Sequence, residues 1–215
     1  MRRNEEALKK EICRVMRILH EDRILTATGG NVSARLPGSN EVWITPSGVY
    51  KAELNPNQLI KIDLEGNIIE GPLKPSIETK MHLMIYKKRP DVNGIVHCHP
   101  PFSNALAICR IPIQPVTVTA IRYTKLRIVR YATPGSNELA ELVADAISDT
   151  DVVLLSNHGL ITVGRKLSDA LYLAQCLEET AKVILAIHVL NRTPILIPED
   201  EVKRLLKVLE KRKQV

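Results

Sequence analysis

Leu8, Ile12, Val15, Met16 and Leu19 recur three or four residues apart in an otherwise charged stretch. That period puts them on one stripe and predicts an amphipathic helix over residues 5–22. The small-residue loop Thr26-Ala27-Thr28-Gly29-Gly30-Asn31 ends the pattern. Short β-rich runs follow at 32–36 and 42–45, then at 60–64 and 68–69, each pair joined by a Gly-containing turn. Helical spacing resumes behind Ser76, read as an N-cap after Pro75, and runs to Lys88 before the Pro90-Asp91 break. Residues 94–99 read as a buried strand, 116–121 and 126–131 as β-rich, and 136–148 as a helix. Strands at 151–156 and 160–164 flank Asn157-His158-Gly159, after which Ser168 is expected to cap a helix running to residue 190. Val202, Leu205, Leu206 and Leu209 mark a last amphipathic helix. No repeat, low-complexity stretch or linker intervenes, so the expectation is one α/β domain spanning residues 1–215.

Composition changes this picture little. Apolar residues make up 45% and charged residues 25% of 215 positions, a balance that suits one globular core. Aromatics supply only 3%, so that core must be aliphatic. Cys13, Cys98, Cys109 and Cys176 show no CxxC spacing and read as reduced thiols. No signal-peptide core follows Met1-Arg2-Arg3-Asn4, and no apolar run approaches the roughly 20 residues that cross a bilayer. A cytoplasmic protein without a membrane partner is therefore expected. Much of the excess behind the net charge of +6 sits at Lys203, Arg204, Lys207, Lys211, Arg212 and Lys213, read as the solvated face of the last helix. With no recognised module beside it, no nucleic-acid partner is expected.

Candidate chemistry begins at His97-Cys98-His99. Residues two apart in a strand share a face, so both imidazoles can converge while Cys98 points away. His158 sits where the apolar run 152–155 ends. Three neutral imidazoles with an open position form the donor set of a catalytic rather than a structural zinc. The competing reading has three unrelated histidines, each hydrogen-bonded in the core or at a turn. Glu78 lies in the first turn of its expected helix, where it either complements the helix dipole or exchanges a proton with a ligand. His82, four residues on, reads as a packed structural histidine, and His20 and His188 carry no assigned role. Gly30-Asn31, Ser47-Gly48 and Ser76 can offer backbone N–H groups and hydroxyls to an anion. Each of those turns taken singly is commonly just a turn, and neither a Walker loop nor a dinucleotide fingerprint is present.

In order, Gly30-Asn31-Val32-Ser33, Thr45-Pro46-Ser47-Gly48, Ser76-Ile77-Glu78, His97-Cys98-His99 and Asn157-His158-Gly159 resemble the class II aldolase/adducin family. The resemblance extends over about residues 5–190, through 86–93 (YKKRPDVN) and Tyr131-Ala132-Thr133-Pro134-Gly135. It implies a central mixed, largely antiparallel β-sheet flanked by helices in three layers, assembled as a homotetramer. It implies that His97, His99 and His158 hold a divalent metal, zinc with manganese or cobalt as alternatives. It also implies Glu78 as the catalytic acid/base, and Gly30, Asn31, Ser47, Gly48 and Ser76 as the substrate-phosphate site. The activity implied is cleavage of a ketose 1-phosphate to dihydroxyacetone phosphate and an aldehyde through an enediolate. Sister activities on the same centre are sugar-phosphate 4-epimerisation, methylthioribulose-phosphate dehydration and hydroxy-acid decarboxylation. Adducin-like domains use the fold without catalysis. The pattern departs at Val116, where the family's aldolases place a tyrosine, at Arg122-Tyr123 in place of Gly-Gly, and at Ile77 in place of a second serine. No aromatic residue follows Tyr172. Tyr123 is the phenol expected to stand in.

Overall fold

The computed structural model describes residues 2–213; of residues 2 and 210–213 only the backbone course is described. The basic-face expectation at Lys211, Arg212 and Lys213, and the ends of the expected 1–215 domain, therefore lie outside the described side chains. One eight-stranded sheet forms the middle layer, in the order β4-β3-β2-β1-β5-β8-β7-β6. Its strands are β1 (Asn31–Ala34), β2 (Glu41–Ile44), β3 (Ile60–Asp63), β4 (Ile68–Glu70), β5 (Gly94–Cys98), β6 (Arg127–Val129), β7 (Val152–Leu155) and β8 (Gly159–Gly164). Every neighbouring pair is antiparallel except β6 with β7, so the sheet is mixed and largely antiparallel, as expected.

The helices are α1 (Arg2–Glu21), α2 (Thr79–Lys88), α3 (Pro101–Cys109), α4 (Asn137–Ala146), α5 (Leu167–Leu190) and α6 (Glu199–Lys213). Alternation along the central strands builds two cores, one on each face. Val96 and Cys98 of β5 and Leu160 of β8 pack with Ile12, Val15, Met16 and Leu19 of α1 and with α3 and α5. Ile95 of β5 and Ile161 and Val163 of β8 pack with Met81, Ile85, Leu139 and Val143 from α2 and α4. Strands covered on both faces read as unbroken apolar runs, which is why 152–155 and 94–96 carry no polar alternation. Each aliphatic side chain so buried contributes roughly 1.5–3 kcal/mol.

Several elements differ from expectation. Residues 116–121 do not join the sheet; Ala120–Tyr123 form a 3-10 turn instead. Pro112 and Pro115 precede that segment, and prolines disrupt a ladder by removing N–H donors. Helix α2 starts at Thr79, not behind Ser76, with Glu78 in the N-cap position. Ser76 Oγ accepts from the Glu78 N–H at 3.2 Å, capping the turn before the helix. Ser168 lies inside α5; Lys166 occupies its N-cap and donates its N–H to Asp169 Oδ2 at 3.1 Å. Helix α3 was not foreseen. Its first free N–H groups are satisfied by a carboxylate 75 residues on, Ser103 N–H to Glu178 Oε2 at 2.8 Å and Phe102 N–H to Oε1 at 3.0 Å.

Ile95 is fully buried in the α2/α4 core. Ile95→Ala is expected to lower the unfolding free energy by about 2–5 kcal/mol, read by urea denaturation of the purified protein. A loss below about 1 kcal/mol would mean that this face is not packed as described.

Candidate metal centre and anion cradle

The pairing of β5 with β1 and β8 brings the histidines to one end of the sheet. His97 lies opposite Asn31 of β1 and Ile161 of β8. His99 follows one residue past the strand end and keeps the same face, while Cys98 is buried in the opposite core. His158 is held in the turn before β8 by Asn157 in the left-handed region (φ 58) and by its own N–H to Leu155 O at 3.1 Å. Asn104 Nδ2 of α3 also reaches His158 O, at 3.4 Å. Glycine is required at 159, because a Cβ there would come within 2.4 Å of Cys98 O and 2.8 Å of His99 Cδ2.

One ligand atom from each of His97, His99 and His158 lies within 4.8 Å of the others. Nε2 of His97 and Nε2 of His99 are 3.2 Å apart. Two nitrogens bonded tetrahedrally at about 2.0–2.1 Å to one zinc sit about 3.3 Å apart, so the spacing fits a shared ion. The His97 Nδ1–H donates to Leu160 O at 3.0 Å, which leaves the Nε2 lone pair free for a metal. His158 Nδ1 is buried without a partner. Burial holds His97 and His99 below the usual imidazole range and takes His158 down to about 4, with the neighbouring rings adding to the shift at His97 and His158. The three are thus neutral donors at pH 7, the form a metal needs.

Glu78 stands beside them, with Oε1 3.9 Å from His158 Nε2. It is almost fully buried, and its Oε2 has no partner. Burial raises its pKa above the ordinary carboxylate value, opposed by a hydrogen bond from the Gly135 backbone. A buried carboxyl with a free oxygen and a raised pKa is suited to taking up and returning a proton.

The anion-cradle residues converge on the same space. A cavity of about 320 Å³ is lined by Gly30, Asn31, Ser47, Gly48, Ser76, Glu78 and the three histidines. Two bonds stitch the 45–48 turn to the segment before α2: Ser76 N–H to Thr45 O at 3.2 Å and Ser47 N–H to Lys74 O at 3.0 Å. Gly30 takes φ +72°, and a Cβ there would fall 2.1 Å from Leu25 Cδ2. Behind the cradle runs a buried chain of bonds. The His82 Nε2–H donates to Asn31 Oδ1 at 2.6 Å, its Nδ1 accepts from Ser33 Oγ at 2.7 Å, and Ser33 Oγ accepts from the Tyr86 hydroxyl at 2.9 Å. With Oδ1 committed to His82, Asn31 keeps its Nδ2 hydrogens for a ligand. Burial takes His82 down to about 3, so this chain works with a neutral ring. His82 is thus the packed histidine expected.

Other expectations fail on geometry. Tyr123 is buried, and its hydroxyl donates to Leu173 O at 3.0 Å, away from the cavity. Among the described residues no phenol lines the cavity. Val116 packs against the α1/α3/α5 core. Ile77 lines the cavity yet is 66% exposed. A larger cleft, about 700 Å³, contains none of these groups and is lined by paired charges such as Arg89, Asp91 and Asp151. Sequence reasoning missed Lys51, which lines the small cavity although it is buried. Its position three residues past Gly48 was the available signal.

The model of the Class II Aldolase and Adducin N-terminal domain matches residues 10–185. A protein of Methanocaldococcus jannaschii named L-fuculose phosphate aldolase is 36% identical over 82% of this chain and 95% of its own. A Rhodospirillum rubrum protein named 5-methylthioribulose-1-phosphate/5-deoxyribulose-1-phosphate aldolase is 39% identical over 83% of this chain and 80% of its own. Among solved structures, one titled L-fuculose 1-phosphate aldolase superposes with a TM-score of 0.86 at 30% identity, covering 95% of this chain and 96% of that one.

Acid should weaken the metal-free protein. His82, His97, His99 and His158 have native pKa values below their unfolded value, so the unfolded chain binds more protons as pH falls below about 6.5. Their stabilisation is complete above that pH and is lost progressively as pH falls, down to about 4 for His158 and about 3 for His82; Glu78, shifted upward, offsets a part of it. The urea midpoint of chelator-treated protein is expected to fall between pH 7 and pH 5, and a rise would contradict the neutral-imidazole assignment.

Proposed function

The chain belongs to the class II aldolase and adducin family, and from that premise we propose that it is a metal-dependent aldolase of ketose 1-phosphates. The observation that carries this reading is a single cavity holding a three-imidazole donor set, a buried carboxyl and an anion cradle. The two relatives described above are both named aldolases, one of fuculose and one of 5-substituted ribulose phosphates, while a Haemophilus influenzae relative 34% identical is named 3-oxo-tetronate 4-phosphate decarboxylase. The reading treats residues 1–215 as one functional domain.

His97, His99 and His158 would hold one divalent ion, zinc on the all-nitrogen donor set, with manganese or cobalt as substitutes. Such an ion supplies a Lewis acid that stabilises negative charge on substrate oxygens. The remaining work falls to the chain's own residues. Gly30, Asn31, Ser47, Gly48 and Ser76 bind the phosphate and orient the sugar, converting substrate binding into alignment of the scissile carbon–carbon bond. Ser76 Oγ already accepts from the Glu78 N–H, so its own O–H remains free to donate to a phosphate oxygen. Glu78 delivers a proton to the carbon that becomes the hydroxymethyl end of dihydroxyacetone phosphate, and removes it in the synthetic direction. Its unpartnered Oε2 is the atom available for that transfer. The buried wall around it keeps competing water away.

Among the described residues no helix is long and apolar enough to cross a membrane. A homotetramer in the cytoplasm, as the family resemblance implies, completes the reading.

Glu78→Gln is expected to keep the metal content of the wild type while lowering turnover by about 10²- to 10⁴-fold. Activity is read as dihydroxyacetone phosphate released from a panel including fuculose 1-phosphate, 5-deoxyribulose 1-phosphate and 5-methylthioribulose 1-phosphate. Full activity in the variant removes Glu78 from the mechanism. A wild type that releases water or carbon dioxide instead, or only epimerises a sugar phosphate, replaces the aldolase assignment with the corresponding sister activity.

A further inference from the structure

Lys51 presents a physical puzzle that the cradle resolves. Its side chain is 2% exposed, yet no carboxylate pairs with it in an ion pair among the described residues. Its ammonium donates to the carbonyl of Pro46, the residue directly before Ser47. Its own N–H is tied to Ala27 O at 2.9 Å, so the backbone that carries it is anchored to the loop before Gly29. A charged ammonium taken out of water is costly unless an anion compensates it. Proteins commonly relieve such a charge with a carboxylate; here Lys51 instead lines the cavity alongside Ser47, Gly48 and Ser76, with its ammonium on the carbonyl next to Ser47.

Resting on the cradle reading above, we propose that Lys51 is the cation of the phosphate subsite, its ammonium completed by the dianion of a phosphate monoester. The empty protein then carries an unmet positive charge that only a phosphorylated ligand satisfies. Unphosphorylated sugars leave that charge buried and unpaired, so Lys51 makes the site selective for the phosphate ester and not merely tolerant of it. The arrangement also complements the neutral donors of the cradle. Asn31, Ser47 and Ser76 supply directed hydrogen bonds, whereas Lys51 supplies the charge that a dianion requires.

Burial alone lowers the Lys51 pKa, to about 8, in the empty protein. The other titratable groups on the cavity wall are Glu78, His97, His99 and His158. At pH 9 a phosphate monoester, with a second pKa near 6, is already a dianion. Water on the ion also titrates in the metal-loaded protein, so the proton that belongs to Lys51 is the uptake in excess of that shown by Lys51→Met.

The test is calorimetric titration of the metal-loaded protein with inorganic phosphate and with dihydroxyacetone phosphate at pH 7, on wild type, Lys51→Met and Lys51→Gln. Both variants are expected to bind each probe about 10- to 100-fold more weakly, the range for a hydrogen bond to a charged group. Their metal content should be unchanged. Their melting temperatures should equal or exceed that of the wild type at pH 7, since an uncompensated buried charge has been removed. Gln keeps a donor for Pro46, so equal losses in the two variants assign the effect to charge. Titration at pH 9, in two buffers of different ionisation enthalpy, should show close to one proton per site more taken up by the wild type than by Lys51→Met. Folded variants that bind phosphate within about twofold of wild type, or a wild type that takes up no more protons at pH 9 than Lys51→Met, overturn the role of Lys51 alone. A wild type that binds neither probe overturns the cradle reading together with it.

Discussion

Three imidazole lone pairs meet in one space because β5 is paired on both sides in a fixed register. On one side Asn31 lies opposite His97; on the other, Cys98 lies opposite Leu160, which brings the turn bearing His158 alongside. A one-residue slip in either pairing would turn the ring of His97 into the opposite core or draw His158 out of reach, since side chains alternate along a strand. The register is in turn held by the two cores, which admit Cys98 on one face and Ile95 on the other. The chemistry therefore inherits its precision from apolar packing that makes no contact with a substrate.

The remaining parts are placed by the same frame. Helix α2 lies on the His97 face of the sheet, and the N-terminal end of that helix carries Glu78 to within 3.9 Å of His158. The 45–48 turn reaches the cavity because β2 pairs with β1, and its backbone is bonded to the segment leading into α2. Asn31 belongs at once to β1, to the cradle and to the buried chain through His82, Ser33 and Tyr86. The three-imidazole cluster and the proposed anion cradle thus share one cavity, with Asn31 and Glu78 between them.

Much of this was legible in the chain. His97 and His99 could be assigned to one face from their spacing, and the ordered motifs located Glu78, His158 and the cradle turns. What escaped had non-local causes. Helix α3 depends on Glu178, remote in sequence, to satisfy its first N–H groups. The β-rich run at 116–121 carries strand-like side chains, but prolines on its approach and burial of Ala120, Ile121 and Tyr123 draw it into a 3-10 turn. Tyr123 looked available as a proton donor because sequence position says nothing of its bond to Leu173. Lys51 passed unnoticed because a lysine near a turn ordinarily faces solvent, and only the folded chain shows it buried.

The measurement that bears most directly on the convergence of the three rings is calorimetric titration of zinc into chelator-stripped protein, wild type beside His158→Ala. The account predicts one ion per chain in the wild type and loss of that tight site in the variant, with both proteins folded. Undiminished one-to-one binding in His158→Ala, or no tight binding in the wild type, would contradict it.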